Sequence, residues 1–489
     1  MSQSQVHFGV KTLGLSLAFS RLLRLATTVV LARLLAKEAF GLITMAMASI
    51  YALSAFREIG FSQALIHRED RGKEDLDRAA DTTFWMLLAA NWVLFAVGWV
   101  ISPYLARQFD QIAGLEDVLR AMLVIYLIEG VSTTPSALLQ RRLEFGVLST
   151  AEVLGTLLYA ALTIVLAALG FGVWGLVVGQ LASRALQAAW LVKASGWWPR
   201  ARFHGPTARE LFAFGKWLWV SAGLQVISRS ADKLVMGKVA GGGTLGAYGV
   251  AFNLCTAAAK PTSNLISRLA FPALTQMRDD RAAVARAYAR ALAVIALVAL
   301  PAAAGLAAVA DELVVTVYGR RWQEMVPLVR VLAFYGLALT VGSMAGPVLL
   351  ALGKPKVVTL VGAGRQLALL GLLLAIGGRG PQAIAWAVLL PALGSMTVGH
   401  WAAGHAAGCS VAALLGPIVR ASLATGAMLV VVCALEAALD AYHPALQLGA
   451  CVASGVVVYL LASLVTNRET LDDLVENAKG VLRAKGRLT

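Results

Sequence analysis

Stretches of about twenty predominantly apolar residues recur from one end of this 489-residue chain to the other. Each is long enough to cross a hydrocarbon core of about 30 Å as a helix. In lipid the backbone must satisfy its own hydrogen bonds, so such runs fold as membrane-spanning helices. Hydrophobic residues make up 59% of the chain and charged residues 14%, against about 25% charge in an ordinary soluble domain. The expected fold class is an all-α polytopic membrane protein.

Fourteen spans fit the pattern, at roughly 10–35, 41–66, 81–106, 118–140, 147–168, 173–193, 211–237, 245–272, 288–310, 325–351, 357–377, 383–406, 413–437 and 446–466. With a cytoplasmic N-terminus, 23 Lys and Arg fall on the cytoplasmic side and six on the other, a bias of the sign that cytoplasmic loops carry. Both termini are then cytoplasmic. The net charge of +15 is a matter of topology, and nucleic-acid binding is not expected. The N-terminus shows no short apolar run with a small-residue cleavage site, so no signal peptide is expected. The four cysteines lie in apolar stretches without ligand spacing and read as small buried hydrophobes.

Thirteen basic residues remain inside the spans, against Glu58, Glu129, Glu152, Asp232 and Glu436. An arginine near the bilayer centre costs about 2.5–3.5 kcal/mol on insertion scales. Such residues face the bundle interior and pair with one another or mark a transport path. Arg24 lies midway between Lys11 and Lys37, which bracket the first span about 39 Å apart at 1.5 Å per residue. Aligning Phe40-Gly41 with Leu245-Gly246, an offset of 205, puts Arg24 on Arg229, Lys11 on Lys216 and Arg33 on Lys238. The expected domains are thus a six-helix lobe at 1–195, a linker at 196–210, a second six-helix lobe at 211–407, two further helices at 408–466 and a tail at 467–489. Each copy has an even number of spans, which makes the two lobes a parallel, pseudo-symmetric repeat.

More bases than acids within the spans means that some bases lack a protein anion, and a cationic interior suits an anionic cargo. Arg24, Arg229, Asp232, Lys233, Arg57 and Lys260 are the candidate cavity residues, and Glu58, Glu129 and Asp232 the candidates for ion coupling. Pairing is the alternative for each: Asp232 with Arg229 at i+3, or Arg24 with Glu129. GGGTLG at 241–246 follows a helix rather than a strand, and reads as a tight turn rather than a dinucleotide fingerprint. His400 and His405 are five residues apart and do not chelate together. No P-loop, metal cluster or nucleophile with a partnered base is present, so no cofactor and no catalytic residue is expected.

TVVLARLLAKEAFGLITMAMA (28–48) and GFSQALIHRED (60–70) resemble the opening of Wzx-type oligosaccharide flippases, the polysaccharide transporter branch of the multidrug/oligosaccharidyl-lipid/polysaccharide (MATE-like) superfamily. LLQRRLEF (138–145), GFGVWGLVVGQL (170–181), RELFAFGKWL (209–218), SRSADKLVMGKVAGGGTLGAY (228–248), ISRLAFPALTQMRDD (266–280) and LLALGKPKV (349–357) continue the resemblance in the family's order. It covers about the first 360 residues and is nearest to the branch handling exopolysaccharides.

The resemblance implies two six-helix lobes around a central cavity that opens to one face at a time. It also implies a bacterial inner-membrane location and a cargo of oligosaccharide repeat units on undecaprenyl diphosphate. Membrane lipids, a polysaccharide polymerase and the export machinery are the partners it implies. A drug antiporter for cations wants an acidic cavity. A flippase for the peptidoglycan precursor is also compatible with the charge. A polytopic polymerase or ligase typically needs a large outer loop, and the longest one here, about 311–324, is short.

Overall fold

Local signals set where the helices begin and end. Asp280 accepts the Ala283 N–H at 2.9 Å and Ser410 that of Ala413 at 3.2 Å, so both cap helix N-termini. Pro444 opens another at a position where its missing N–H costs nothing. The computed structural model describes residues 3–54, 61–68, 72–257, 259–468 and 470–472, with the side chains of these other than 3–15, 17, 67, 73, 213–229, 260, 261, 264, 265 and 267–269.

The helices are α1 (Gln3–Leu34), α2 (Lys37–Ser54), α3 (Phe61–His67), α4 (Lys73–Gln108), α5 (Leu115–Arg141), α6 (Phe145–Ala168), α7 (Val173–Ser195), α8 (Gly205–Thr256) and α9 (Ala259–Gln276). They continue as α10 (Arg281–Ala308), α11 (Ala310–Leu313), α12 (Val326–Gly342), α13 (Ala345–Ala351), α14 (Pro355–Ile376), α15 (Pro381–Ala407), α16 (Val411–Ala438) and α17 (Pro444–Thr466). Among the described residues there is no strand. Nine helical stretches among them are long and apolar enough to cross a membrane: α4, α5, α6, α10, α12 with α13, and α14 to α17. The other expected spans coincide with α1, α2 and α3, α7, α8 and α9. This is a multi-pass helical membrane protein.

One detail departs from the span list. The stretch at 325–351 is broken at Ser343, four residues before Pro347, where a proline ring crowds the carbonyl at i−4. The glycines at 241–246 lie where two helical segments meet, as the turn read from the sequence requires. Gly241, with φ 74° and ψ −178°, breaks the helical backbone of α8 in a conformation that glycine adopts without steric cost.

The chain divides into two compact units, Met1–Val250 with Leu373–Ile384 and Ala251–Leu372 with Ala385–Thr489. In the first, α1 packs along α6, α6 on α7, and α5 against α2, α4 and α7. Tyr126 of α5 is fully buried and donates to the Ile50 carbonyl of α2 at 2.5 Å. The segment 196–210 is fastened within this unit. Trp197 is buried with its ring 5.8 Å from that of Phe84, the Asp81 carboxylate accepts the Arg200 N–H at 3.1 Å, and Arg142 donates to the Ser195 carbonyl at 2.8 Å. Arg68 pairs with Asp75 at 2.9 Å and Glu210 at 3.0 Å. Basic residues that the charge sorting assigns to one side thus gather at one end of the unit.

In the second unit α10 packs along α12 and α16, and α16 along α17. Tyr459 of α17 donates to the Leu297 carbonyl of α10 at 2.5 Å, so the last two helices are joined to this unit. Tyr288 and His400 stack with ring centroids 5.9 Å apart. The His400 Nε2–H donates to the Val341 carbonyl at 3.1 Å, which leaves Nδ1 to accept from the Tyr288 hydroxyl.

Within the first unit, α2 and the part of α8 beyond its kink meet at their backbones. A Cβ on Gly41 would run into the Gly242 carbonyl, and one on Gly246 into the Lys37 carbonyl. Under the offset of 205 these two contacts exchange. A Cβ on Gly243 would lie 3.0 Å from the Glu38 carboxylate and one on Gly249 2.6 Å from the Thr44 hydroxyl, and under the same offset each of these pairs maps onto itself. Such self-pairing is the mark of an isologous contact across a two-fold. Small residues are what allow helices to approach this closely in a membrane. Gly41→Ala and Gly246→Ala are therefore expected to destabilise the fold by about 2 kcal/mol each through overpacking. Gly426→Ala, where added bulk meets open space, should be neutral. Fluorescence-detected size exclusion of the three variants reads the difference as loss of the monodisperse peak in the first two only.

Candidate functional site

Arg24 lies ten residues before the end of α1, about 15 Å of helix, and a side chain that deep finds its partners inside the first unit. Its Nη2 is 3.5 Å from Glu152 Oε1 on α6, and the guanidinium carbon stands 5.5 Å from the centroid of the Tyr159 ring, a cation–π distance. From Glu152 the chain of contacts runs on to α7. Gln187 donates to the other carboxylate oxygen at 3.5 Å, and Arg184 donates to the Gln187 carbonyl oxygen at 3.2 Å. Gly155 makes the approach possible, because a Cβ there would occupy the place of the Gln187 amide. Ser183 ties the two helices together by donating to the Gly155 carbonyl at 2.7 Å.

The cluster holds two guanidiniums and one carboxylate, of which only Arg24 touches the carboxylate directly, and this leaves a net charge of one positive unit. The Nε of Arg184 is buried and has no hydrogen-bond partner among the described residues. The Arg24 and Glu152 side chains are 28% and 33% exposed, so the pair is reachable from outside the packed helices. The arrangement can hold an anion: Arg24 is oriented but only loosely neutralised, and Arg184 has donors to spare.

The other candidates separate clearly. Arg24 meets Glu152, not Glu129, which sits half-buried on α5. Asp232 is buried, accepting from the Tyr248 hydroxyl at 2.6 Å and pairing with Lys233 at 3.1 Å. On a straight helix residues 232 and 248 would stand about 24 Å apart; the kink at Gly241 brings them together. Arg57 and Glu58 lie outside the described residues, as do the side chains of Arg229 and Lys260, and with Arg229 its suggested pairing with Asp232.

Tyr159, Gln187 and Tyr248 are absent from the sequence-based list. They carry no charge, and a tally of intramembrane charges passes over them.

Against known proteins, residues 30–327 match the family model described as polysaccharide biosynthesis protein, well over half of the chain. The chain belongs to this family. It is 24% identical over 439 residues to the teichuronic acid biosynthesis protein TuaB of Bacillus subtilis, with 88% of each chain covered. To the succinoglycan biosynthesis transport protein ExoT of Rhizobium meliloti it is 25% identical over 465 residues, covering 94% of this chain and 92% of that one. Its fold is similar to that of the lipid II flippase MurJ in an inward closed conformation, with a TM-score of 0.74 at 16% identity over 94% of this chain and 99% of the other. The stretch matched by the polysaccharide biosynthesis family takes in Glu152, Arg184, Gln187 and Asp232, while Arg24 precedes it.

Coupling between Arg24 and Glu152 is expected to be small, about 1 kcal/mol, because both side chains reach solvent and the contact is long. A double-mutant cycle with Arg24→Ala and Glu152→Ala, read as thermal stability in detergent, checks it. A coupling above about 3 kcal/mol would mark the pair as a buried structural bridge.

Proposed function

We propose that this protein carries oligosaccharide repeat units linked to undecaprenyl diphosphate from the cytoplasmic to the periplasmic leaflet of the bacterial inner membrane, for exopolysaccharide or lipopolysaccharide assembly. The observation that carries this reading is the cluster of Arg24, Glu152, Gln187 and Arg184, in which the cations exceed the acids. A diphosphate crossing a low-dielectric core needs cationic donors at mid-depth, whereas its polyprenyl tail can remain in lipid. Membership of a polysaccharide biosynthesis family supports the cargo class, and relatives named for teichuronic acid and succinoglycan point to acidic or modified glycans.

Transport rather than catalysis fits the chain's outward connections. The one at 311–324 is taken up by α11, a π-helical turn and a 3-10 turn, leaving little backbone for an extramembrane catalytic site. The charge sorting supports cytoplasmic termini, and the self-paired crossing of α2 and α8 supports descent of the two halves from one duplicated unit. Among the acids considered for ion coupling, Asp232 is the one that holds both Lys233 and Tyr248.

Arg24→Ala and Arg184→Ala should each abolish polymer export when they replace the wild-type gene, while the amount of protein in the membrane stays unchanged. Quantifying surface polysaccharide and lipid-linked repeat units in the same cells provides the check. Normal export by both variants would discard the reading.

A further inference from the structure

Among the cations inside the spans, Arg365 of the second unit is, like Arg184 of the first, held by a neutral group. It lies ten residues past the start of α14 and eleven before its end, about 15 Å from either end, too deep for its side chain to reach the interface. Arg24 has Glu152, Arg120 has Glu116 at 2.7 Å, Arg330 has Asp311 at 2.6 Å and Lys233 has Asp232. Among the described residues Arg365 has no carboxylate partner. Its Nη2 donates to the Tyr335 hydroxyl of α12 at 3.1 Å, and the guanidinium carbon stands 5.9 Å from that ring's centroid. Tyr335 is 8% exposed and braced by Phe252, ring centroids 5.5 Å apart.

A charge held this deep by a hydroxyl and a ring face is oriented but not neutralised. One of the five N–H donors of the guanidinium is used by Tyr335, and the rest match the oxygens of a phosphate group. Helix α14 is also the most open of the nine apolar helical stretches, with 11% of its most apolar window buried against 22–56% in the others. Pure lipid exposure would leave the cost of inserting a charge unrelieved. The geometry points to Arg365 as a phosphate-binding residue, with Tyr335 as its positioning residue, that contacts the diphosphate group of the lipid-linked substrate during transport. This rests on the transport reading given above, and it adds a contact in the second unit to the cluster in the first.

The test is equilibrium binding of C55-polyprenyl diphosphate to the full chain in nanodiscs, with neutral polyprenol and inorganic pyrophosphate as parallel arms. Arg365→Ala should weaken binding of the lipid diphosphate by at least about tenfold, the size of one charge-assisted contact, and leave polyprenol binding unchanged. Arg365→Lys keeps the charge but loses the planar fork of donors, so it should bind more weakly than wild type and more tightly than the alanine variant. Arg365→Gln retains a donor for Tyr335, so it guards against misfolding, and it should lose as much affinity as the alanine variant.

Wild-type affinity for the lipid diphosphate in Arg365→Gln, or an equal loss for polyprenol, overturns the assignment. A loss confined to inorganic pyrophosphate overturns the lipid headgroup as its ligand. Wild-type protein that bound no lipid diphosphate would overturn the transport reading as well, whereas the Arg365→Gln result with intact wild-type binding bears on this residue alone.

Discussion

A charged side chain in hydrocarbon must find an opposite charge, a hydrogen-bonding group or water. That requirement organises the interior of this protein. Arg24, Arg120, Arg330 and Lys233 each take a carboxylate partner, and Arg184 and Arg365 take neutral ones, an amide and a phenol. The difference matters for function. A cation bonded closely to its own carboxylate, as Arg330 is to Asp311 at 2.6 Å, is a structural element. One held loosely, as Arg24 is at 3.5 Å, or steered by a neutral group keeps its field for something that arrives from outside. The net positive cluster of the first unit and the Tyr335-held arginine of the second are both of this kind.

The scaffold that carries these groups depends on glycine. Close crossing of α2 and α8 is possible because Gly41 and Gly246 leave room for the partner backbone, and the contact maps onto itself under the 205-residue offset. Gly155 does the same on a smaller scale, letting the Gln187 amide reach Glu152 between α6 and α7. Gly241 has a third use. Its positive φ folds α8 so that Tyr248 comes back to Asp232, which gives the buried carboxylate a second partner beside Lys233.

Helix positions were legible in the sequence because hydropathy over twenty residues is a strong, local signal; α5 to α7 and α14 to α17 lie within a few residues of the spans read from it. The GGG run was legible as well: a glycine cluster after an apolar run signals a break in the helix, and Gly241 supplies it. Within the candidate site the excess of thirteen intramembrane bases over five acids was countable, and it implied that some cations lack an anion. Which ones could not be counted. Glu152 goes to Arg24 and not elsewhere because α1 packs along α6, a fact of the fold. The setting of Arg365 emerges only once its neighbour is seen to be Tyr335, itself braced by Phe252.

Reconstitution offers the most direct measurement of the central claim that spare intramembrane positive charge moves an anionic lipid headgroup. Proteoliposomes loaded with a fluorescent polyprenyl-diphosphate oligosaccharide can be followed by quenching of the outer leaflet. Wild-type protein should equilibrate the lipid between leaflets, and the combined Arg24→Gln, Arg184→Gln and Arg365→Gln variant, folded and inserted to the same extent, should leave it on the side where it began. Equal rates for the two proteins would contradict the claim.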